Sequence, residues 1–186
     1  LGIEPSSSLC ECARAKGIPT LQLLFNPETT SDLPAEFREA DLVVLSYTFD
    51  HLPDPRAFLS AARSILNHER GLLVVEVHDL EKIVERQEYC LFEHEHSVYL
   101  TRRSAVRLCR REGFEVIAFD VLPESDRRAN SLVFVATPQG SKFAGNSAIP
   151  STPADFDDPG RYHQLAEDIL LGIRRLEDFV GRISAE

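Results

Sequence analysis

The chain has 186 residues, 43% hydrophobic and 27% charged, which is the mixture of one ordinary globular domain with a sizeable core. Its formal net charge of −10 argues against nucleic acid or an anionic membrane as the main partner, because both reward clusters of Lys and Arg. No run of about 18 apolar residues and no signal peptide is present, so the expected location is cytoplasmic. The four Cys, at 10, 12, 90 and 109, lack the paired C-x-x-C spacing of a zinc site and read as reduced thiols.

Leu1–Glu4 reads as the end of a strand broken by Pro5. Ser6 to Ser8 offer cap oxygens for a helix through Lys16, and Gly17 stops it. Thr20–Phe25 reads as a second strand, and Glu28–Glu39 as a loop with a short helical turn. Asp41–Ser46 is a continuous apolar run, as expected of a strand buried on both faces. Asp54-Pro55 opens a helix to Asn67, and Gly71 precedes another apolar strand, Leu72–Val77. This alternation predicts an α/β fold, a doubly wound and mostly parallel sheet.

Leu80–Glu88 and Thr101–Glu112 read as helices, the second stopped by Gly113. The basic cluster from Arg102-Arg103 to Arg110-Arg111 is expected on a solvated face. Phe114–Leu122 and Ser131–Thr137, joined by a polar turn, predict an antiparallel hairpin. The composition divides the chain into a core at 1–137, a linker at 138–160 and a helix at 161–186 that reads as the start of a further domain. Tyr162, Leu165, Ile169, Ile173, Leu176, Val180 and Ile183 mark one face of that helix, which needs a partner surface such as a second copy.

Between the two middle helices lies Phe92-Glu93-His94-Glu95-His96-Ser97-Val98-Tyr99. Its apolar flanks hold titratable groups at the edge of a core, the placement proton transfer needs. In an extended segment His94 and His96 would share one face. In doubly wound sheets ligands bind at the carboxyl ends of strands, and here those ends carry Glu4, Ser46-Tyr47-Thr48 and Glu76-Val77-His78-Asp79. His51 and His78, taken singly, read as capping or packing residues. A metal held by His78, His94, His96 and a carboxylate is permitted by spacing, but nothing makes these residues converge, and no metal is expected.

Leu-Gly-Ile-Glu-Pro-Ser, Asp-Leu-Val-Val-Leu-Ser-Tyr-Thr-Phe-Asp-His-Leu-Pro-Asp and Gly-Leu-Leu-Val-Val-Glu-Val-His, in this order, resemble class I S-adenosylmethionine-dependent methyltransferases. The His-Glu-His stretch and the hairpin ending Asn130-Ser131-Leu132-Val133-Phe134-Val135 resemble, more narrowly, the sugar C-methyltransferases of deoxysugar biosynthesis. The resemblance covers about residues 1–137 and implies a Rossmann-like fold whose first strand and glycine-rich loop lie before Leu1. It implies S-adenosylmethionine as cofactor, with Glu4 and Pro5 at its ribose, Phe25 and Asn26 at its adenine, and Ser46 and Tyr47 at its methionine end. It makes His96 the general base, beside Glu95, Tyr99 and His94. His78, Glu93 and Asn130 would meet a small-molecule substrate, a carbonyl compound such as a sugar nucleotide. Glu93 stands where relatives often place Tyr, and Ala129-Asn130-Ser131 where they place Gly-Gly-Ser. Those departures leave a different carbonyl substrate, or an oxygen or nitrogen acceptor, open. A non-catalytic fold used in binding or assembly through the last helix is the other reading.

Overall fold

The structure is a computed structural model and describes residues 1–128, 130–145 and 153–184. Ala129 and residues 146–152 of the expected linker therefore lie outside the described residues. β1 (Gly2–Glu4) ends at Pro5, which has no N–H to continue a ladder. The Glu4 carboxylate turns back to accept the Ser6 N–H at 2.8 Å, and α1 (Ser7–Ala15) follows. The expected serine cap does not form, because the Ser6 hydroxyl pairs with that of Ser8 instead. Gly17, at φ +79°, takes the left-handed conformation that ends the helix.

β2 (Thr20–Gln22) pairs parallel with β1, Gly2 opposite Thr20 and Glu4 opposite Gln22. It is shorter than the expected Thr20–Phe25, since its partner strand stops at Pro5. β3 (Leu42–Ser46) and β4 (Leu72–His78) pair parallel through α2 (Pro55–Ile65). One Asp54 oxygen caps α2 by accepting the N–H groups of Arg56 and Ala57. α3 (Leu80–Glu85) and α4 (Arg102–Arg111) come next. β5 (Phe114–Phe119) and β6 (Ser131–Pro138) pair antiparallel, with a bulge between Val116 and Ala118. β6 inserts antiparallel between β4 and β5, giving the order β3-β4-β6-β5.

The core lies on one face of these four strands. Phe58, Leu59 and Ala62 of α2 and Ala105 and Cys109 of α4 pack there against alternate residues of β4 and β6, such as Val75 and Phe134. Burial pushes the Cys109 thiol up to about 12.

Two expectations fail together. The strands form two sheets, β1-β2 and β3-β4-β6-β5, and parallel and antiparallel ladders are equal partners rather than mostly parallel. β3 is half-buried on one face, through Val43 and Leu45, and bare on the other, where Leu42 and Val44 are 54% and 59% exposed. The reason is shared, because β3 is an edge strand facing a cavity, with Gly2 and Ile3 of β1 on the far wall.

The solvated reading of the basic helix face also fails at Arg102. Its side chain is 16% exposed and meets Asp79 at 3.3 Å, Glu81 at 3.3 Å and Asp120 at 2.6 Å. α5 (Pro159–Ile183) starts two residues before the expected Arg161, with Asp158 as its cap. Tyr162, Leu165 and Ile169 dock it against Leu80, Val84 and Phe156, while Leu176, Val180 and Ile183 stay exposed. Among the described residues no helix is long and apolar enough to cross a membrane.

Candidate active site

The carboxyl ends of β3 and β4 turn out two aromatic rings and an acid. Tyr47 leaves β3 at φ +47°, a conformation unusual for an aromatic residue, and its N–H is held by the Glu76 carbonyl at 2.8 Å. The ring therefore swings edge-on to His78, centroids 4.9 Å apart, under the Arg128 guanidinium at 4.3 Å. Burial, then the Glu76 charge, push its phenol up. Two residues on, a single turn at Phe49–His51 buries the Phe49 ring in the core and carries Asp50 inward with it.

Asp50 sits among three imidazoles. One oxygen accepts from His78 Nδ1 at 2.8 Å and lies 4.0 Å from His96 Nε2. The other lies 3.9 Å from His51 Nε2 and is buried without a hydrogen bond. The His51 and His96 rings stand edge to face, centroids 4.6 Å apart. The Ser97 N–H and hydroxyl both donate to the Asp50 carbonyl, at 2.7 and 3.0 Å, pinning the His96 segment to the Asp50 turn.

The Tyr99 hydroxyl orients His96. It donates to the Leu91 carbonyl at 3.0 Å, accepts the Glu93 N–H at 2.8 Å, and stands 3.0 Å from His96 Nδ1. With the phenolic hydrogen given to Leu91, the ring hydrogen belongs on Nδ1 and Nε2 keeps its lone pair. Burial raises the Tyr99 phenol further, so that hydrogen stays in place at neutral pH. Nε2 faces Asp50 on one side and the Glu93 carboxylate, 3.9 Å away, on the other.

The predicted catalytic residues separate here. His96 N–H donates to the Glu93 carbonyl at 3.2 Å, so 93–96 is a turn and not the extended segment expected. His94 and Glu95 ride exposed at its tip, while the His96 side chain is 2% exposed. Glu95 still reaches the neighbourhood: ligand atoms of Glu93, Glu95 and His96 lie within 4.8 Å of one another. The same holds for Asp50, His51 and His96. The set His78, His94 and His96 does not converge. Asn130, at φ +68°, gives its carbonyl to the Asp79 N–H and its side-chain oxygen to Arg86.

The cavity between β1 and β3 has a volume of about 540 Å³, ample for a nucleoside-sized ligand. Its lining includes Pro5, Phe25, Ser46, Thr48 and His51. Glu4, between the lining residues Ile3 and Pro5, commits one oxygen to Ser6 and leaves the other without a partner among the described residues. Phe25 presents an aromatic wall braced edge-on by Phe58, 5.5 Å away. A largely apolar cavity with an aromatic wall and a carboxylate next to its rim fits a nucleoside. Three predicted cofactor residues, Glu4, Asn26 and Tyr47, stand apart from the lining. The Asn26 side chain accepts the Glu28 and Thr29 N–H groups of its own turn, and Tyr47 turns to His78. Ser46 donates to Glu76 at 2.7 Å.

Sequence reasoning missed Asp50 and undervalued His51. Their one signal was position, shortly past the carboxyl end of an apolar strand.

Residues 2–119 match the profile of a family described as a methyltransferase domain. No curated protein sequence matches the chain at a significant level. A SAM-dependent methyltransferase of Thermotoga maritima, described as a possible histamine N-methyltransferase, superposes with a TM-score of 0.54 at 22% identity, over 75% of this chain and 73% of its own. A SAM-dependent methyltransferase of Archaeoglobus fulgidus does so at 0.53 and 14% identity, over 73% and 74%. At such identities the likeness is one of fold.

Proposed function

The chain belongs to the methyltransferase-domain family and is an S-adenosylmethionine-dependent methyltransferase, and on that premise we propose that it methylates a carbon beside a carbonyl, with His96 as the general base. The observation that carries this reading is the group of three imidazoles around buried Asp50, set at the carboxyl ends of β3 and β4 beside the cavity. When bound, S-adenosylmethionine supplies an electrophilic methyl group. Glu4 would hold its ribose hydroxyls, Phe25 would flank its adenine and Ser46 would stand at its methionine end. Carbon accepts a methyl group only after losing a proton, and in this reading the His96 Nε2 lone pair would take it. His78 and Glu93 stand beside His96 and would meet the substrate, as would Asn130 in this reading, and a sugar nucleotide bearing a carbonyl is the acceptor class it favours.

The reading also assigns the slot between the two sheets. The facing edges of β1 and β3 carry unpaired backbone groups, and Leu42 and Val44 stand bare beside them. A further parallel strand seated there would join both ladders into one sheet and complete the floor of the cofactor site.

The test is methyl transfer to nucleoside-diphosphate keto-sugars by the full chain and by its His96→Ala variant. The variant is expected to lose about 10²- to 10⁴-fold in kcat. Unchanged turnover in the variant would remove His96 from the chemistry.

A further inference from the structure

We infer that Asp50 is a positioning residue for the proton transfer, a fixed negative charge that holds the imidazole cluster ready to receive a proton; the inference rests on the carbon-methylation reading above. Asp50 is 1% exposed. A carboxylate so buried is costly unless a cation or several donors compensate it. Among the described residues its ion-pair partners are imidazoles only: His78, His51 and His96. Its one side-chain hydrogen bond is from His78, and Oδ1 has none. A residue kept only for packing would be served better by Asn or Ala at this position. An unsatisfied buried charge calls for a reason, and the neighbours supply one: all three can become positive, and only by taking up a proton.

The geometry gives Asp50 two tasks. By accepting from His78 Nδ1 it fixes the hydrogen of that ring and turns Nε2 outward as an acceptor. By lying 4.0 Å from His96 Nε2 it faces the very atom that receives the proton. In the step, the acceptor C–H bond breaks and its electron pair stays on carbon as an enolate. The proton bonds to His96 Nε2. The enolate carbon then takes the methyl group, the sulfonium sulfur keeping the bonding pair, and the proton leaves His96 for water. Two carboxylates face the transient imidazolium, Asp50 and Glu93. Glu93 is exposed and screened by solvent, whereas Asp50 is buried and cannot move away, being anchored by Phe49 in the core and by Ser97 on its carbonyl.

The decisive variant is Asp50→Asn, which keeps the shape and the acceptor for His78 but removes the charge. The full chain, saturated with S-adenosylhomocysteine, is given a nucleoside-diphosphate keto-sugar in deuterium oxide, and exchange at the carbon beside the carbonyl is followed by NMR. Methyl-transfer kcat and KM are measured in parallel, and metal content by elemental analysis. Exchange and kcat are expected to fall together by about 100-fold, with KM and cofactor affinity within about threefold of wild type. Wild-type exchange in Asp50→Asn would overturn the inference and leave the carbon reading standing. A matching loss of S-adenosylhomocysteine binding would overturn it in favour of a structural role. A stoichiometric divalent ion present in the wild type and lost in the variant would overturn it in favour of a ligand role for Oδ1. No exchange in the wild type would sink the carbon reading itself, and the inference with it.

Discussion

Two buried charges in this molecule are treated in opposite ways. Arg102, at the start of α4, is surrounded by Asp79, Glu81 and Asp120, and Asp120 is shared with Arg127 at 2.7 Å. Burial works against its charge, but the Asp120 hydrogen bond and the neighbouring carboxylates more than offset it, and the guanidinium is pushed up. Asp79, burial raising it, keeps its second task of capping α3 through the Glu81 N–H. Each carboxylate in that group has a guanidinium beside it. Asp50, buried more deeply still, has among the described residues no permanent cation and one oxygen with no hydrogen bond. The first group is what a fold uses to tie α3, α4 and β5 together. The second is costly to keep and makes chemical sense only if something positive arrives.

That contrast predicts opposite responses to removing charge. Arg102→Leu strands Asp79 and Glu81 in a partly buried site, Asp120 keeping Arg127, and should cost about 3–5 kcal/mol in urea unfolding, the largest effect anticipated for one substitution here. A loss under about 1 kcal/mol would mean that water, and not the arginine, balances those acids. Asp50→Asn should do the reverse. It removes an orphaned charge and places an amide donor toward His51 Nε2, so unfolding stability should rise by about 1 kcal/mol even as activity falls. A loss of stability would show that the carboxylate is structural after all, and would bring the two clusters into one class.

The difference also explains what the sequence could disclose. Several helix ends were legible because their signals are local: Asp54-Pro55, Thr101 and Gly113 at φ +80° each work within one turn of chain. Tyr99 was set beside His96 by the family resemblance and not by any local pattern, and the two do touch, three residues apart. His94 was misplaced because a hydrogen bond between Glu93 and His96 makes a turn where alternation suggested an extended segment. The split sheet and bare Leu42 were hidden because exposure depends on neighbours distant in sequence. Arg102 looked like its exposed neighbours Arg110 and Arg111 until Asp79 and Asp120 were brought to it. Asp50 was least legible of all, since one acid after an apolar strand carries no pattern, and its partners His78 and His96 lie 28 and 46 positions on.

A third acidic position sharpens the scale at its weak end. Glu124 meets Lys82 at 2.8 Å and Arg86 at 3.4 Å, tying the turn between β5 and β6 to α3. Its geometry resembles that of the Arg102 group, yet it is 55% exposed. The Lys82 hydrogen bond, then the Lys82 charge, hold its carboxyl below the ordinary value of 4.5. A depressed acid adds stability that is complete above its unfolded pKa and disappears as pH falls through the folded one, so any contribution is present at pH 7 and gone under strong acid. Solvent and salt screen it throughout. Glu124→Gln should therefore leave the urea midpoint at pH 7 unchanged in physiological salt, with a small decrease emerging only at low ionic strength and vanishing again in acid. A salt-independent drop at pH 7 would show that this bridge is shielded as Arg102 is, and that burial, more than the number of partners, had been misjudged as what divides the structural ion pairs from the surface ones.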